Sequence, residues 1–456
     1  MVFDVFYIIN IDAMNNNVLQ DMFYYHNKIN NVDIHTIGCE LSLWDGERIA
    51  EMLNNKTESV LLISTCAVTA RSQKASEMIT ERLTKIYPDK KTYITGCGVN
   101  YNPDYYKKYG TCIPNEDKFN CKTYNISDGL NNNFIHGHFA DNFYDVAYVK
   151  VQDGCTNNCS YCIVNKLRNN PYSIPYEDIK KQIENHLKYK KTEIELIGTE
   201  ITFYNSDGMY IDDLCKKILE DYPEITQLSL NALDPASLRI EKLAELMLSN
   251  NRMKKLLYLS VQSGSNKILQ DMNRHYKRER IIEIYNKFPM IEHNWDLVVG
   301  FPGETEEDFN LTCDLVNTVR PTELMMCPYS KREGAPAATM ENQIDDNVKT
   351  KRIEILRSII CDVEDVEKPY MNKNKEHMTL DLYNDNEVVE LYKKLEKNNK
   401  KVICDVYYDD KLDTDVFEIN NKLLAINFDT MFNIKIVGNN PKYINDFCDY
   451  YNGDII

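Results

Sequence analysis

The sequence predicts an α/β protein in three parts: an N-terminal parallel-sheet domain over residues 1–138, a central barrel of parallel strands over 139–370, and a small β-rich domain over 371–456. Two series of short apolar strands, each followed by an amphipathic helix, and a late switch to short strands between charged turns carry that prediction. At 456 residues the chain is long enough to bury two or three cores without disulfide staples.

Residues 1–30 combine an apolar start with Asn-rich stretches and receive no role. From Val32 the order is VDIHTI, a helix near Asp45 to Leu53, SVLLIS, a long helix from Ala70 to Ile86, and TYIT, the pattern of a parallel sheet covered by helices. After a polar stretch at Asn125 to Asn142, six runs read as strands with helical patterns between them: AYVKV, EIELIG, QLSLN, LYLSVQ, WDLVVG and ELMMC. They predict a partial (β/α)6 barrel, whose site lies at the carboxyl ends of the strands. From about Met371 the runs MTLDLY, VICDVYY, LLAINF and FNIKIVG predict the β-rich end.

A formal charge of -17 repels polyanions at long range, which weighs against non-specific wrapping of nucleic acid and leaves room for a local basic pocket. The start lacks a charged, apolar and small-residue signal, and no apolar run approaches eighteen residues. A cytoplasmic, reducing location is therefore expected. There, clustered members of the fourteen cysteines are metal ligands more often than disulfides.

Cys155, Cys159 and Cys162 stand in CxxxCxxC spacing within GCTNNCSYC, with Gly154 ahead for a tight turn and Tyr161 before the last cysteine. Three thiolates on one loop leave one iron of a [4Fe-4S] cluster open, whereas a zinc site generally needs a fourth Cys or His, and the loop has none. An open iron of this kind binds the methionine end of S-adenosylmethionine (SAM), so the spacing predicts radical SAM chemistry. Cys39, Cys66 and Cys97 follow the three upstream strands. Loops after successive parallel strands converge on one sheet edge, so the three thiols form either a second open cluster or a set of buried small apolar residues.

At these six cysteines the chain resembles the methylthiotransferase family of radical SAM enzymes. VQDGCTNNCSYCIV, LSVQSGSNKILQDMNRHY, DLVVGFPGETEEDF and YSKREGAPAATMENQI look like the family's stretches in the family's order, from about Val32 to Arg357. The resemblance implies that Cys155, Cys159 and Cys162 bind the radical-generating [4Fe-4S] cluster, and that Cys39, Cys66 and Cys97 bind an auxiliary [4Fe-4S] cluster that handles sulfur. It further implies SAM as radical source and methyl donor, a reduced flavodoxin- or ferredoxin-type electron donor, and no membrane. Tyr161, Gly198, Thr199, Glu200, Ser229, Gln262, Ser263 and Arg274 are the candidate SAM contacts, each with a structural hydrogen bond as the plainer alternative.

Family members modify adenosine beside the tRNA anticodon, or an aspartate of a ribosomal protein. STCAVT, the cluster stretch and the closing AAxM look most like the threonylcarbamoyladenosine tRNA group, so tRNA is the expected partner. Lys166, Arg168, Arg252, Lys254, Lys255, Arg274, Lys277, Arg278 and Arg280 are candidate phosphate contacts or ordinary solvated faces. Three features depart from the family pattern: Arg168 precedes Asn169 where a Gly is usual, Ser42 replaces an Asn, and the last 56 residues carry a net charge of -5 where a basic RNA-gripping domain is usual. A methylthiotransferase acting on a protein or peptide, with that region as a docking module, and a non-catalytic iron-sulfur regulator are the alternatives.

Overall fold

A computed structural model describes residues 5–9, 22–53, 58–120, 146–168 and 170–360, together with five strands between 377 and 437. The predicted domain boundaries at 138/139 and 370/371, the His136 and His138 pair, and Cys121, Cys361, Cys404 and Cys448 lie outside the described residues.

In the first domain β1 (Val5–Ile9), β2 (Met22–Ile29), β3 (Val32–Gly38), β4 (Val60–Thr65), β5 (Lys91–Gly96) and β6 (Thr111–Ile113) form one sheet in chain order. Strands β3 to β6 are parallel; β3, β4 and β5 are the three predicted strands, and the three-residue β6 is an addition the sequence reading does not contain. β1 and β2 add an antiparallel edge, a place for residues 5–9 and 22–29 that the sequence does not reveal. β4 is buried along its whole length because helices cover both faces. Val60 and Leu62 pack with Ile49, Ala50 and Leu53 of α1 (Glu40–Leu53), whereas Leu61 and Ile63 pack with Ala75, Ile79 and Leu83 of α2 (Ala70–Ile86). Each of the Val, Leu and Ile side chains contributes roughly 1.5–3 kcal/mol by leaving water. α1 begins five residues before the predicted start at Asp45. α2 matches its predicted span, and Thr69 and Ser72 close its first turn with a reciprocal capping box. α3 (Cys97–Tyr101) and α4 (Pro103–Tyr106) follow β5.

The second domain runs β7 (Val146–Lys150), β8 (Gln152–Asp153), α5 (Val164–Leu167), β9 (Tyr172–Ser173), α6 (Tyr176–Lys188), β10 (Glu193–Ile197), β11 (Asn205–Ser206), β12 (Met209–Tyr210), α7 (Ile211–Asp221), β13 (Gln227–Leu230), α8 (Ile240–Ser249), β14 (Leu256–Gln262), α9 (Asn266–Asp271), α10 (Arg278–Lys287), β15 (Glu292–Val299), α11 (Glu306–Val319), β16 (Glu323–Pro328) and α12 (Asp346–Ile360). β7, β10 and β13 are parallel neighbours, as are β14, β15 and β16. Parallel bridges from Leu228 to Met253 and Leu233 to Leu259 join the two halves into the predicted six-stranded partial barrel. Alternation sorts the strands: Ile194, Leu196, Leu257, Leu259, Trp295 and Leu297 pack into the helix-facing core, while Glu195, Tyr258, Ser260 and Asp296 between them stay partly accessible. The barrel lumen is therefore polar, and Tyr258 donates to Asp296 across it at 2.7 Å.

β17 (His377–Leu380), β18 (Asp405–Asp409), β19 (Thr414–Ile419), β20 (Lys422–Asn427) and β21 (Asn433–Val437) pair antiparallel in the order β17, β21, β20, β19, β18. Sequence reading finds four of these five. It passes over β19 because Asp415 and Glu418 interrupt its apolar residues. Among the described residues no helix is long and apolar enough to cross a membrane.

Candidate functional site

Two cysteine triads face each other across the seam between the domains. Cys39, Cys66 and Cys97 are each the residue immediately after β3, β4 and β5, so the parallel register brings all three to one sheet edge. They lie close enough for the charge of Cys97 to be felt at both Cys39 and Cys66. Gly96 takes φ +95°, and a Cβ there would stand 2.4 Å from the Thr65 carbonyl oxygen, so glycine alone lets the Cys97 loop close against the Cys66 loop. Cys97 shares an apolar cluster with Ala67, Ile163, Leu167 and Ala335, which places it beside the loop ending at Cys162.

That loop leaves β8 through Gly154, whose φ of +77° and approach to Pro171 exclude a side chain. The Gly154 N–H donates to Asp153 Oδ1 at 2.8 Å and to Thr199 Oγ1 at 3.0 Å. Gln152 ties the turn to the end of β10, donating to the Gly154 carbonyl at 2.6 Å and accepting from Glu200 N at 2.9 Å. Each loop sulfur accepts one N–H at 3.4 Å: Cys155 from Asn157 N, Cys162 from Val164 N, and Cys159 from Arg274 Nη1. Donors aimed at all three sulfurs suit sulfur that carries negative charge. Burial pushes the Cys155 thiol up to about 12 and the Cys162 thiol up to about 11, so these groups stay neutral unless a metal displaces the proton. All six cysteines are free, and among the described residues no three His, Cys, Asp or Glu side chains close around a single ion. Three thiols on one loop without a fourth ligand fit an open cluster, whose four irons hold the thiolates farther apart than a lone ion does.

The other predicted contact residues surround this loop in different ways. Arg274 also binds Asp234 Oδ1 at 3.0 Å, while its buried Nε has no partner, so it braces Cys159 more than it offers a free cation. Asp234 receives Asn157 Nδ2 at 3.0 Å, a second tie between loop and barrel that sequence reading misses. The Thr199 and Ser263 hydroxyls are committed, the first to Asp153 and Gly154, the second to Thr312 and Ser265. Ser229 lies within 3.4 Å of the Ile194 carbonyl and Glu195. Tyr161 packs beside Ile268, Met272 and Phe301, close enough to Arg274 to feel its charge. Gly198 caps β10 and its carbonyl accepts Asn231 Nδ2 at 2.9 Å. Glu200, buried near Cys155, is raised to about 7 by burial first and by Asp234 second, with Arg274 opposing the rise from a distance, and its side chain hydrogen-bonds to Thr202. Gln262 ends β14 at φ +62°, a left-handed value uncommon for a side-chain-bearing residue.

A buried ionic knot locks the seam beneath the triads. Asp45 of α1 accepts from Lys118 at 2.7 Å, Lys150 at 2.6 Å and Arg168 at 3.0 Å, and Asp153 accepts from the same three at 2.9, 2.6 and 2.8 Å. Three cations share two carboxylates, and Arg168 feels both Cys97 and Cys39, so the surplus positive charge lies toward the upstream triad. Beside it Trp44 donates to Gln182 at 3.1 Å, joining α1 to α6.

Several cations with candidate phosphate roles are occupied elsewhere. Arg168 belongs to the knot, Arg252 donates to the carbonyls of Leu219, Tyr222 and Ile225, Arg278 pairs with Asp314, and Arg280 pairs with Glu241.

Residues 149–316 match the family model described as the Radical SAM superfamily, and residues 31–113 match the uncharacterized protein family UPF0004. The chain is 32% identical over 345 residues to the threonylcarbamoyladenosine tRNA methylthiotransferase MtaB of Rickettsia prowazekii, covering 71% of this chain and 82% of that protein. It is 30% identical over 399 residues to the tRNA-2-methylthio-N(6)-dimethylallyladenosine synthase of Carboxydothermus hydrogenoformans, covering 75% and 85%. Among solved structures, the radical S-adenosylmethionine methyltransferase TsrM of Kitasatospora setae, with cobalamin and a [4Fe-4S] cluster bound, superposes with a TM-score of 0.50 at 12% identity, covering 64% of this chain and 68% of that one, a likeness of fold alone.

Proposed function

This chain belongs to the radical SAM methylthiotransferases, enzymes that transfer a sulfur-containing group, and from that premise we propose that its substrate is a tRNA nucleoside, N6-threonylcarbamoyladenosine beside the anticodon, methylthiolated at C2. The observation that carries the reading is the meeting of two free-thiol triads at one seam, through Cys97 and the Cys162 loop. The threonylcarbamoyl form is favoured by the STCAVT and AAxM stretches and by the relative at 32% identity.

In this reading Cys155, Cys159 and Cys162 hold one [4Fe-4S] cluster and Cys39, Cys66 and Cys97 hold a second. When bound, the first cluster and SAM supply a 5'-deoxyadenosyl radical that takes hydrogen from the substrate carbon, and the second cluster carries the sulfur. The chain's own work is positional. Arg274, Asn157 and Asp234 fix the cluster loop to the barrel, and Gln152 and Thr199 hold its entry turn. Glu200, a buried carboxylate in no ion pair with Arg274, takes the SAM amino group, with the Gly198 backbone beside it. Gln262, held at the end of β14, faces the ribose or carboxylate of SAM.

Mass spectrometry of tRNA nucleosides from cells with and without the gene tests this reading. Loss of 2-methylthio-N6-threonylcarbamoyladenosine is expected. Unchanged methylthio-adenosines of every kind would refute it, and loss of the dimethylallyl form alone would reassign the nucleoside.

A further inference from the structure

The seam between the triads has a cationic rim that neither the ionic knot nor the cysteine loops use. Arg71 and Lys74 lie one turn apart at the start of α2, just after the Cys66 loop. Lys331 and Arg332 lie on the segment after β16, which is stitched to α2 where Ala70 N donates to Ser330 Oγ at 2.9 Å and Arg332 Nη2 donates to Gln73 at 2.7 Å. Arg332 also stacks 4.3 Å from the Tyr101 ring centroid, and Lys166, just beyond Cys162, donates to the Gly334 carbonyl. The same segment ends in Ala335, in the apolar cluster that holds Cys97 and Ile163. Arg71, Lys74, Lys166 and Lys331 therefore flank the place where the Cys66 loop, the Cys162 loop and the segment after β16 meet, and Arg332 is buried beneath them.

Among the described residues none of Arg71, Lys74, Lys166 and Lys331 pairs with a carboxylate. Elsewhere in this chain of net charge -17, Lys107, Lys181, Lys217, Lys267, Arg278 and Arg280 are neutralised by such pairs. Glu77, near Arg332, and the exposed Glu333 are the nearby acids, and Glu77 is engaged by Gln73. Burial alone lowers Arg71, to about 10, with no anion to offset it. Leaving a half-buried guanidinium unpaired is costly, so a surface of this kind is expected to receive anionic groups from a partner.

We propose that Arg71, Lys74, Lys166 and Lys331 form the surface that binds RNA phosphates flanking the nucleoside delivered between the two triads, with the buried Arg332 positioning the segment that carries Lys331. The inference rests on the tRNA reading above. A nucleoside still in its strand brings phosphodiesters on both sides, and the rim supplies cations from both domains. It also accounts for recognition of RNA by an acidic protein: the attraction is local, at the mouth, with the remaining surface repelling other polyanions.

The test uses the full chain with its clusters reconstituted anaerobically, and the anticodon stem-loop of a tRNA as probe. Binding is measured across a salt series for wild type, for Arg71→Ser with Lys331→Ser, and for Arg278→Ser, whose arginine is already paired with Asp314. Iron content and the visible spectrum confirm that each variant keeps its clusters. Losing two phosphate contacts should weaken binding ~10-fold or more and make the slope of log affinity against log salt shallower by about 1.4–1.8. Unchanged affinity and slope in the double variant, or an equal loss in Arg278→Ser, would overturn the rim while leaving the tRNA reading intact. A wild-type chain that binds an acidic polypeptide and no RNA would overturn both.

Discussion

Arg274 donates through Nη1 to the Cys159 sulfur at 3.4 Å while its other terminal nitrogen holds Asp234 at 3.0 Å. One guanidinium thus couples the cluster loop to the end of the barrel and places a positive charge against a thiol that sequence spacing marks as an iron ligand. A charge-assisted hydrogen bond contributes roughly 1.5–3 kcal/mol, about 60–130 mV for a one-electron couple. Arg274→Gln should retain the cluster and lower its reduction potential by that order, because the reduced, more negative state loses its nearby cation. An EPR-monitored redox titration reads the shift; an unchanged potential would remove Arg274 from this role.

The knot at the seam should behave as a single unit. Asp45→Asn leaves Lys118, Lys150 and Arg168 with only the Asp153 carboxylate, and breaking a buried network of this kind costs roughly 3–5 kcal/mol. Urea unfolding of the metal-free chain measures it. A loss below about 1 kcal/mol would mean the seam does not depend on the knot.

The same carboxylate sets an acid limit. Burial raises the Asp45 pKa, but Lys118, Lys150 and Arg168 more than reverse this and hold it at about 2. Its folded value lies below the unfolded value of about 3.9, so its stabilisation is present above that pH and is lost as pH falls through about 2. Thermal stability of the metal-free wild type should fall between about pH 4 and 2 more steeply than that of Asp45→Asn. Parallel curves would contradict the assignment.

How legible this was in the sequence depends on distance along the chain. CxxxCxxC is local and readable, and the strand ends at Cys39, Cys66 and Cys97 follow from three apolar runs whose period is clear. The knot joins residues 73, 105 and 123 positions apart, and nothing local marks Asp45 as the partner of Lys118, Lys150 or Arg168. Arg168, Arg252, Arg278 and Arg280 read as open cations because sequence shows charge and not partners. The rim at Arg71 and Lys331 is hidden from sequence for the same reason: only the fold brings α2 to the segment after β16.

Gln262 separates stability from function. A non-glycine residue at φ +62° costs about 1 kcal/mol, which Gln262→Gly should recover in the metal-free chain while SAM binding to the reconstituted enzyme weakens. Denaturant midpoints and equilibrium SAM binding measure the two effects. Unchanged SAM affinity would take Gln262 out of the cofactor site.

The central claim is that the two triads at the seam hold two clusters. Iron and sulfide counts on the anaerobically reconstituted chain test it directly, beside a Cys39→Ala, Cys66→Ala and Cys97→Ala triple variant. About eight irons per chain in wild type and about four in the variant are expected for two four-iron clusters. About four in both would contradict the account, leaving the upstream cysteines as packing residues.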